Sequence, residues 1–158
     1  MQKEEFYYQL NQNLAALIDS ETDWLANLAN AAALLFSQLE NINWAGFYLL
    51  KGDELVLGPF QGKPACVRIP VGKGVCGSAA AKRQTLVVPN VHQFPGHIAC
   101  DPDSWSEIVV PIISSDTIRG VLDIDSPDYN RFDQVDKQGL EKYVKQLEMK
   151  IDWQNISH

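Results

Sequence analysis

Three cysteines, Cys66, Cys76 and Cys100, stand ten and twenty-four residues apart and carry the most nucleophilic side chains of the chain. No C-x-x-C pair occurs among them, so the spacing offers neither a zinc ribbon nor a thioredoxin-type dithiol. Cys100 lies in "HIACDPDSWSEIVVPI", beside Asp101 and Asp103, with Glu107 just beyond. Carboxylates raise a neighbouring thiol's pKa and blunt its nucleophilicity. Three readings stand open: an inert thiol, a metal ligand, or acids that serve a substrate rather than the sulfur. His92 and His97 could join Cys100 in a mixed Cys/His zinc site, but at no established ligand spacing.

The other two thiols have different surroundings. Cys76, in "GVCGSAA", opens a predicted helix whose positive dipole end is expected to lower its pKa. Cys66, in "ACVRI", is flanked by apolar residues and suits buried filler as well as chemistry. A second group is carboxylic. In "VLDIDSP" the acids Asp123 and Asp125 alternate along a predicted strand, so both project from one face beside Val121. Two such acids either sit solvated at an exposed edge or receive a cationic or protonated group. In "NWAGFYLL" Trp44, Gly46 and Tyr48 likewise share a face. They suit core packing, or an apolar pocket wall in which the glycine leaves room for a ligand.

Regular elements must hold these residues. In "KEEFYYQLNQNLAALI" Phe6, Leu10, Leu14 and Leu17 form an amphipathic stripe, and Trp24, Leu28, Ala31, Leu35 and Leu39 form another after a capping signal at Ser20 and Asp23. Two helices are therefore expected within 3–39. From Asn41 the period falls to two, giving a hairpin that turns at Gly52-Asp53, then short strands at "ACVRIPV" and "TLVVPN" around a helix over 75–82. A long polar loop over 91–105 precedes a second hairpin that turns within 114–117. The sheet and this loop span 41–126, and a terminal amphipathic helix covers 133–153. Loops of that length inside a compact domain are frequently functional. Hairpin connections dominate, so the fold class is α+β: a single domain over 1–158, with a mainly antiparallel sheet and helices on its faces.

Bulk composition narrows the function. A chain of 158 residues with 46% hydrophobic and 21% charged residues has the size and balance of one globular domain. A net charge of −7 works against nucleic acid or an anionic membrane as partner. No apolar run reaches transmembrane length, and "MQKEEFYYQL" lacks the basic and apolar regions of a secretory leader, so a cytoplasmic address is expected. An odd cysteine count in a reducing compartment disfavours a structural disulfide framework.

Taken together, "NWAGFYL", "GPFQGKPACVRIPVGKGVCG", "HIACD", "SEIVVPI" and "GVLDIDSP" resemble the GAF-domain free methionine-(R)-sulfoxide reductases. The resemblance runs from about Asn41 to the final helix. It implies a single GAF domain that reduces free L-methionine (R)-sulfoxide to L-methionine. By position it implies Cys100 as nucleophile, Cys66 as resolving thiol and Cys76 as a further participant in disulfide exchange, with family members differing over the last two. It also implies Glu107, Asp123 and Asp125 as substrate-binding acids, and Trp44 and Tyr48 as the wall for the methyl group. Chemistry agrees with those roles. Carboxylates suit an ammonium group, and an acid kept neutral by its neighbours can protonate a sulfoxide oxygen.

On this reading Asp125 and Glu107 contact the oxygen, Asp123 and Glu107 hold the ammonium, and amides over 72–77 are candidates for the substrate carboxylate. Asp101 and Asp103 are expected to face solvent. No metal, flavin or nicotinamide is expected to be bound. Thioredoxin, recharged by thioredoxin reductase and NADPH, is the implied external reductant, and a homodimer through the terminal helices is implied. The alternative is a non-catalytic GAF sensor of a small ligand, a role that normally comes with an output domain.

Overall fold

The computed structural model describes residues 1–98 and 102–156. Its elements are α1 (Lys3–Ile18), α2 (Trp24–Gln38), β1 (Trp44–Lys51), β2 (Glu54–Gly62), β3 (Arg68–Pro70), α3 (Gly74–Lys82), β4 (Leu86–Val88), β5 (Ser106–Ser114), β6 (Thr117–Ser126) and α4 (Gln134–Lys150). One turn of 3₁₀ helix over Val91–Gln93 begins the long loop, and another over Trp153–Asn155 follows α4. The six strands form one sheet in the order β3-β2-β1-β6-β5-β4, with every neighbouring pair antiparallel. Two-residue turns close both hairpins. Gly52 has a φ of 66°, and Ser115 and Asp116 both take positive φ, as tight hairpin connections demand.

Strand alternation divides the interior in two. Ala45, Phe47 and Leu49 of β1, Ile108, Val110 and Ile112 of β5, and Leu122 and Ile124 of β6 face α1, α2 and α4. The residues between them, Trp44, Tyr48, Val109 and Val121, face the other way with Val75, Cys76, Ala79 and Ala80 of α3. The helices thus lie on both faces of an antiparallel sheet, as their amphipathic stripes require. One face holds the larger core. The other holds the short helix and the candidate site.

Caps set where the helices begin and end. The α2 N-cap is Asp23 rather than Ser20, because its carboxylate accepts the Ala26 N–H at 2.8 Å while Glu21 takes the N–H groups of Thr22 and Asp23. Asp133 and Asp136 form a reciprocal capping box at the start of α4. That helix stops at Lys150 instead of running to 153. The backbone turns extended at Ile151, whose N–H donates to the Leu147 carbonyl, and the Trp153 indole donates to that same carbonyl at 3.1 Å. Asp136, fully buried, accepts from the Tyr7 hydroxyl at 2.6 Å and from Lys3 at 2.9 Å, which ties α4 to α1.

Candidate active site

Register across three strands assembles the acids. In β1–β6 Trp44 pairs with Asp125 and Gly46 with Asp123; in β5–β6 Glu107 pairs with Asp125 and Val109 with Asp123. Trp44, Asp125 and Glu107 therefore form one row across the sheet, with Asp123 two residues along β6 on the same face. A single cavity is lined by Trp44, Tyr48, Cys76, Glu107, Asp123 and Asp125, together with Pro64, Ala65, His97, Ile98 and Ser104. Five of the residues singled out in sequence as a substrate site, and the thiol of Cys76, meet there.

β6 is a central strand, so the solvated-edge reading of Asp123 and Asp125 does not hold. Asp123 is 6% exposed and Glu107 is 7% exposed; Asp125 is half-buried. Burial raises the pKa of the Glu107 carboxyl, and the charges of Asp123 and Asp125 raise it further. Burial also raises Asp123, against a lowering contribution from its hydrogen bonds with Glu107 and Cys76. One carboxyl oxygen of Asp123, Oδ1, is buried with no hydrogen-bond partner. Such a group is costly unless a guest supplies what it lacks.

Cys76 overturns the expectation drawn from its helix. The thiol is pushed well above its ordinary pKa by burial, and then by the charges of Asp123, Glu107 and Asp125. A helix terminus contributes a partial charge that fades within a turn, whereas three acids share this cavity with the sulfur. Cys76 Sγ lies 3.9 Å from Glu107 Oε2, within weak thiol hydrogen-bond range. The sulfur and the carboxylate oxygens of Glu107 and Asp123 all lie within 4.8 Å of one another, a spacing that a metal ion could bridge.

The aromatic wall has a second task. The Trp44 indole donates to the Lys63 carbonyl at 3.1 Å, and the Tyr48 hydroxyl donates to the Cys66 carbonyl at 2.8 Å. Both rings thus hold the segment that carries Cys66. Gly46 does not leave room for a ligand as its position suggested. Phe60 fills that space, since a Cβ on Gly46 would collide with the Phe60 Cβ, and the Phe60 ring stacks on Trp44 at 5.2 Å. Gly77 has a comparable role in α3. A Cβ there would strike the Pro70 carbonyl, so the glycine lets the helix sit close against β3 and carry Cys76 into the cavity.

Cys66 is half-buried and disulfide-bonded, not sealed filler, whereas Cys76 is free. Cys100 and Asp101 lie outside the described residues. Asp103 points outward as expected and pairs with Lys63 at 2.9 Å. Burial, and then the neighbouring His92, lower the pKa of His97. Of the amides over 72–77, those of Gly72 and Lys73 already donate to the Gly77 and Pro70 carbonyls. Sequence reasoning missed Ser104, Ile98 and Ala65 as cavity residues. No chemical signal marked them, since loop residues are placed by chain path rather than by periodicity.

The fold is that of a GAF domain, whose family model matches residues 13–151. The chain is 59% identical to the free methionine-R-sulfoxide reductase of Escherichia coli, over 94% of this chain and 90% of that protein. The structure of fRMsr of Staphylococcus aureus in its reduced form matches with a TM-score of 0.89 and 58% identity, covering 91% of this chain and 94% of that one. The free methionine-R-sulfoxide reductase of Neisseria meningitidis, in complex with its substrate, matches with a TM-score of 0.92 and 47% identity, over 95% and 90% of the two chains. The chain belongs to the GAF-domain free methionine-R-sulfoxide reductase family. Among the described residues, no helix is long and apolar enough to cross a membrane.

Proposed function

We propose that this chain is an oxidoreductase that reduces free L-methionine (R)-sulfoxide to L-methionine in the cavity above β1, β6 and β5. One observation carries the reading: buried Glu107 and Asp123, with Asp125, sit in one aromatic-walled cavity, and Glu107 there has a raised affinity for a proton. Glu107 and Asp125 contact the sulfoxide oxygen, and a neutral Glu107 is the donor to it. Asp123, helped by Glu107, receives the substrate ammonium, which would satisfy the unpartnered Oδ1. Trp44 and Tyr48 wall the methyl group.

Cys100 is the nucleophile. Its neighbours on either side in the chain, Ile98 and Ser104, line the cavity and support that placement. The Cys100 sulfur attacks the sulfoxide sulfur, the oxygen passes to Cys100, and methionine leaves. Two electrons move from the thiol to the substrate, leaving a sulfenic acid. The Cys66 thiol then displaces that oxygen as water and a Cys66–Cys100 disulfide forms. Cys66 is disulfide-bonded in the structure, which fits its role as resolving thiol. Cys76, its pKa raised and its sulfur free, serves later exchange rather than the first attack. Thioredoxin, kept reduced by thioredoxin reductase and NADPH, restores the dithiol by exchange. The cycle draws on no bound cofactor, proceeds in the cytoplasm and operates in a homodimer.

The test is NADPH consumption with thioredoxin, thioredoxin reductase and free methionine (R)-sulfoxide, set beside the Cys100→Ser variant. Turnover in the wild type that vanishes in the variant is the expected result. Equal, background-level consumption by both proteins would leave a ligand-binding GAF domain without catalysis.

A further inference from the structure

The cavity brings together a donor set that the proposed reduction does not require as a set: one thiol and two carboxylates, all buried. Cys76 Sγ stands 3.9 Å from Glu107 Oε2, and both lie within 4.8 Å of an Asp123 carboxylate oxygen. In a tetrahedral zinc site, with metal–sulfur and metal–oxygen bonds of ordinary length, the sulfur–oxygen edge is about 3.6 Å. The 3.9 Å between Cys76 Sγ and Glu107 Oε2 stands close to that edge. Independently, Asp123 Oδ1 is buried and unpartnered, and Asp123 is a wall of the same cavity. A cation there would supply the missing partner.

We propose that the reduced protein binds one soft divalent cation of the zinc(II) class through Cys76 Sγ and the carboxylates of Glu107 and Asp123, and that this ion excludes substrate from the cavity. One thiolate with two carboxylates selects zinc(II) or cobalt(II) over magnesium, which takes oxygen donors and retains its water. Water completes the coordination. Binding releases the Cys76 proton and any proton on the acids to the medium, so the ion forms a metal–sulfur bond without any change of oxidation state. Ion binding stands on the donor geometry alone. Exclusion of substrate rests on the function proposed above.

Cobalt(II) reports both parts. Titrated into the reduced full-length protein, it is expected to give a sulfur-to-cobalt charge-transfer band in the near ultraviolet at one equivalent, removed by added zinc(II). Cys76→Ser abolishes the band and weakens zinc binding by more than about 100-fold. Asp123→Asn, close in shape to the native side chain, weakens binding while leaving the band, and carries the test should the serine variant not fold. Cys66→Ser leaves both unchanged. Absence of a band, survival of the band in Cys76→Ser, or its loss in Cys66→Ser overturns the site. Free methionine (R)-sulfoxide is expected to displace the ion. An ion that substrate does not move, with the band intact, upholds the metal site and overturns the shared cavity.

Discussion

The Tyr48 hydroxyl, on β1, donates to the carbonyl oxygen of Cys66 at 2.8 Å. A residue of the pocket wall is thereby fastened to the peptide of the proposed resolving thiol. Because the phenol is largely buried, its pKa is pushed up, first by burial and then by Asp123, and it stays a donor at any working pH. Trp44 makes the parallel contact to Lys63, so the segment preceding β3 hangs from two aromatic side chains.

Tyr48→Phe keeps the ring and removes that donor, which costs about 1 kcal/mol of stability. Methionine release in a single turnover of the reduced protein is expected to stay within about twofold, since the wall persists. Disulfide formation, followed by acid quench and mass spectrometry, is expected to slow several-fold. A fall of more than about tenfold in the first step would show the hydroxyl acting on substrate instead.

Glu107→Gln is expected to trade activity for stability. The Glu107 carboxyl takes up a proton more readily folded than unfolded, so its contribution is fully present below the ordinary value of 4.5 and lost as pH rises through its raised folded value. A neutral amide escapes that loss. The variant's melting temperature should match the wild type near pH 4 and exceed it increasingly toward about pH 8. Its turnover should fall by at least about 100-fold. A variant less stable at pH 8 would contradict the buried-acid argument.

Gly46→Ala drives a methyl group into Phe60, where the backbone Cα of Phe60 stands 2.7 Å and the Pro59 carbonyl 2.9 Å from the added atom. Backbone cannot yield cheaply, so about 2 kcal/mol is lost. That corresponds to a melting temperature lower by roughly 5 °C for a chain of this size. Trp44 should also shift, seen as a change in its fluorescence, because Phe60 stacks upon it.

Asp133→Ala removes the cap of α4 and costs about 1 kcal/mol at neutral pH. Burial opposes the charge on Asp133, yet hydrogen bonds from the Asp136 N–H and from Lys3 win and bring its pKa to about 2. A depressed acid stabilises above its unfolded value of 3.8, and that stabilisation goes as pH falls through about 2. Urea unfolding of both proteins is therefore expected to differ at pH 7 and to converge near pH 2. A difference independent of pH would mean that charge has no part in the cap.

Periodicity and side-chain chemistry carried much of this in the linear chain. The helices, both hairpins and the shared face of Asp123 and Asp125 follow from spacing, because period 3.6 and period 2 are local properties of the backbone. Motif identity likewise pointed to the family that the comparisons show. The failures share a cause. The exposed-edge reading of the two acids failed because strand order is not written along the strand. The low pKa expected for Cys76 followed from its own helix, and the neighbours that reverse it arrive from β5 and β6, over thirty residues downstream. Gly46 read as vacant space because Phe60, its occupant, sits on the partner strand.

The sequence by itself determined the elements, the α+β class and the supply of thiols, acids and aromatic rings, since each depends on residue type and near neighbours. Only the tertiary structure decided their company. Antiparallel register set Trp44, Asp125 and Glu107 in one row, burial withheld water from Glu107 and Asp123, and the close fit of α3 on β3 delivered Cys76 among them. The physical reason is range. Propensity acts over a few residues, whereas desolvation and charge–charge coupling act through space between segments that the fold alone brings together.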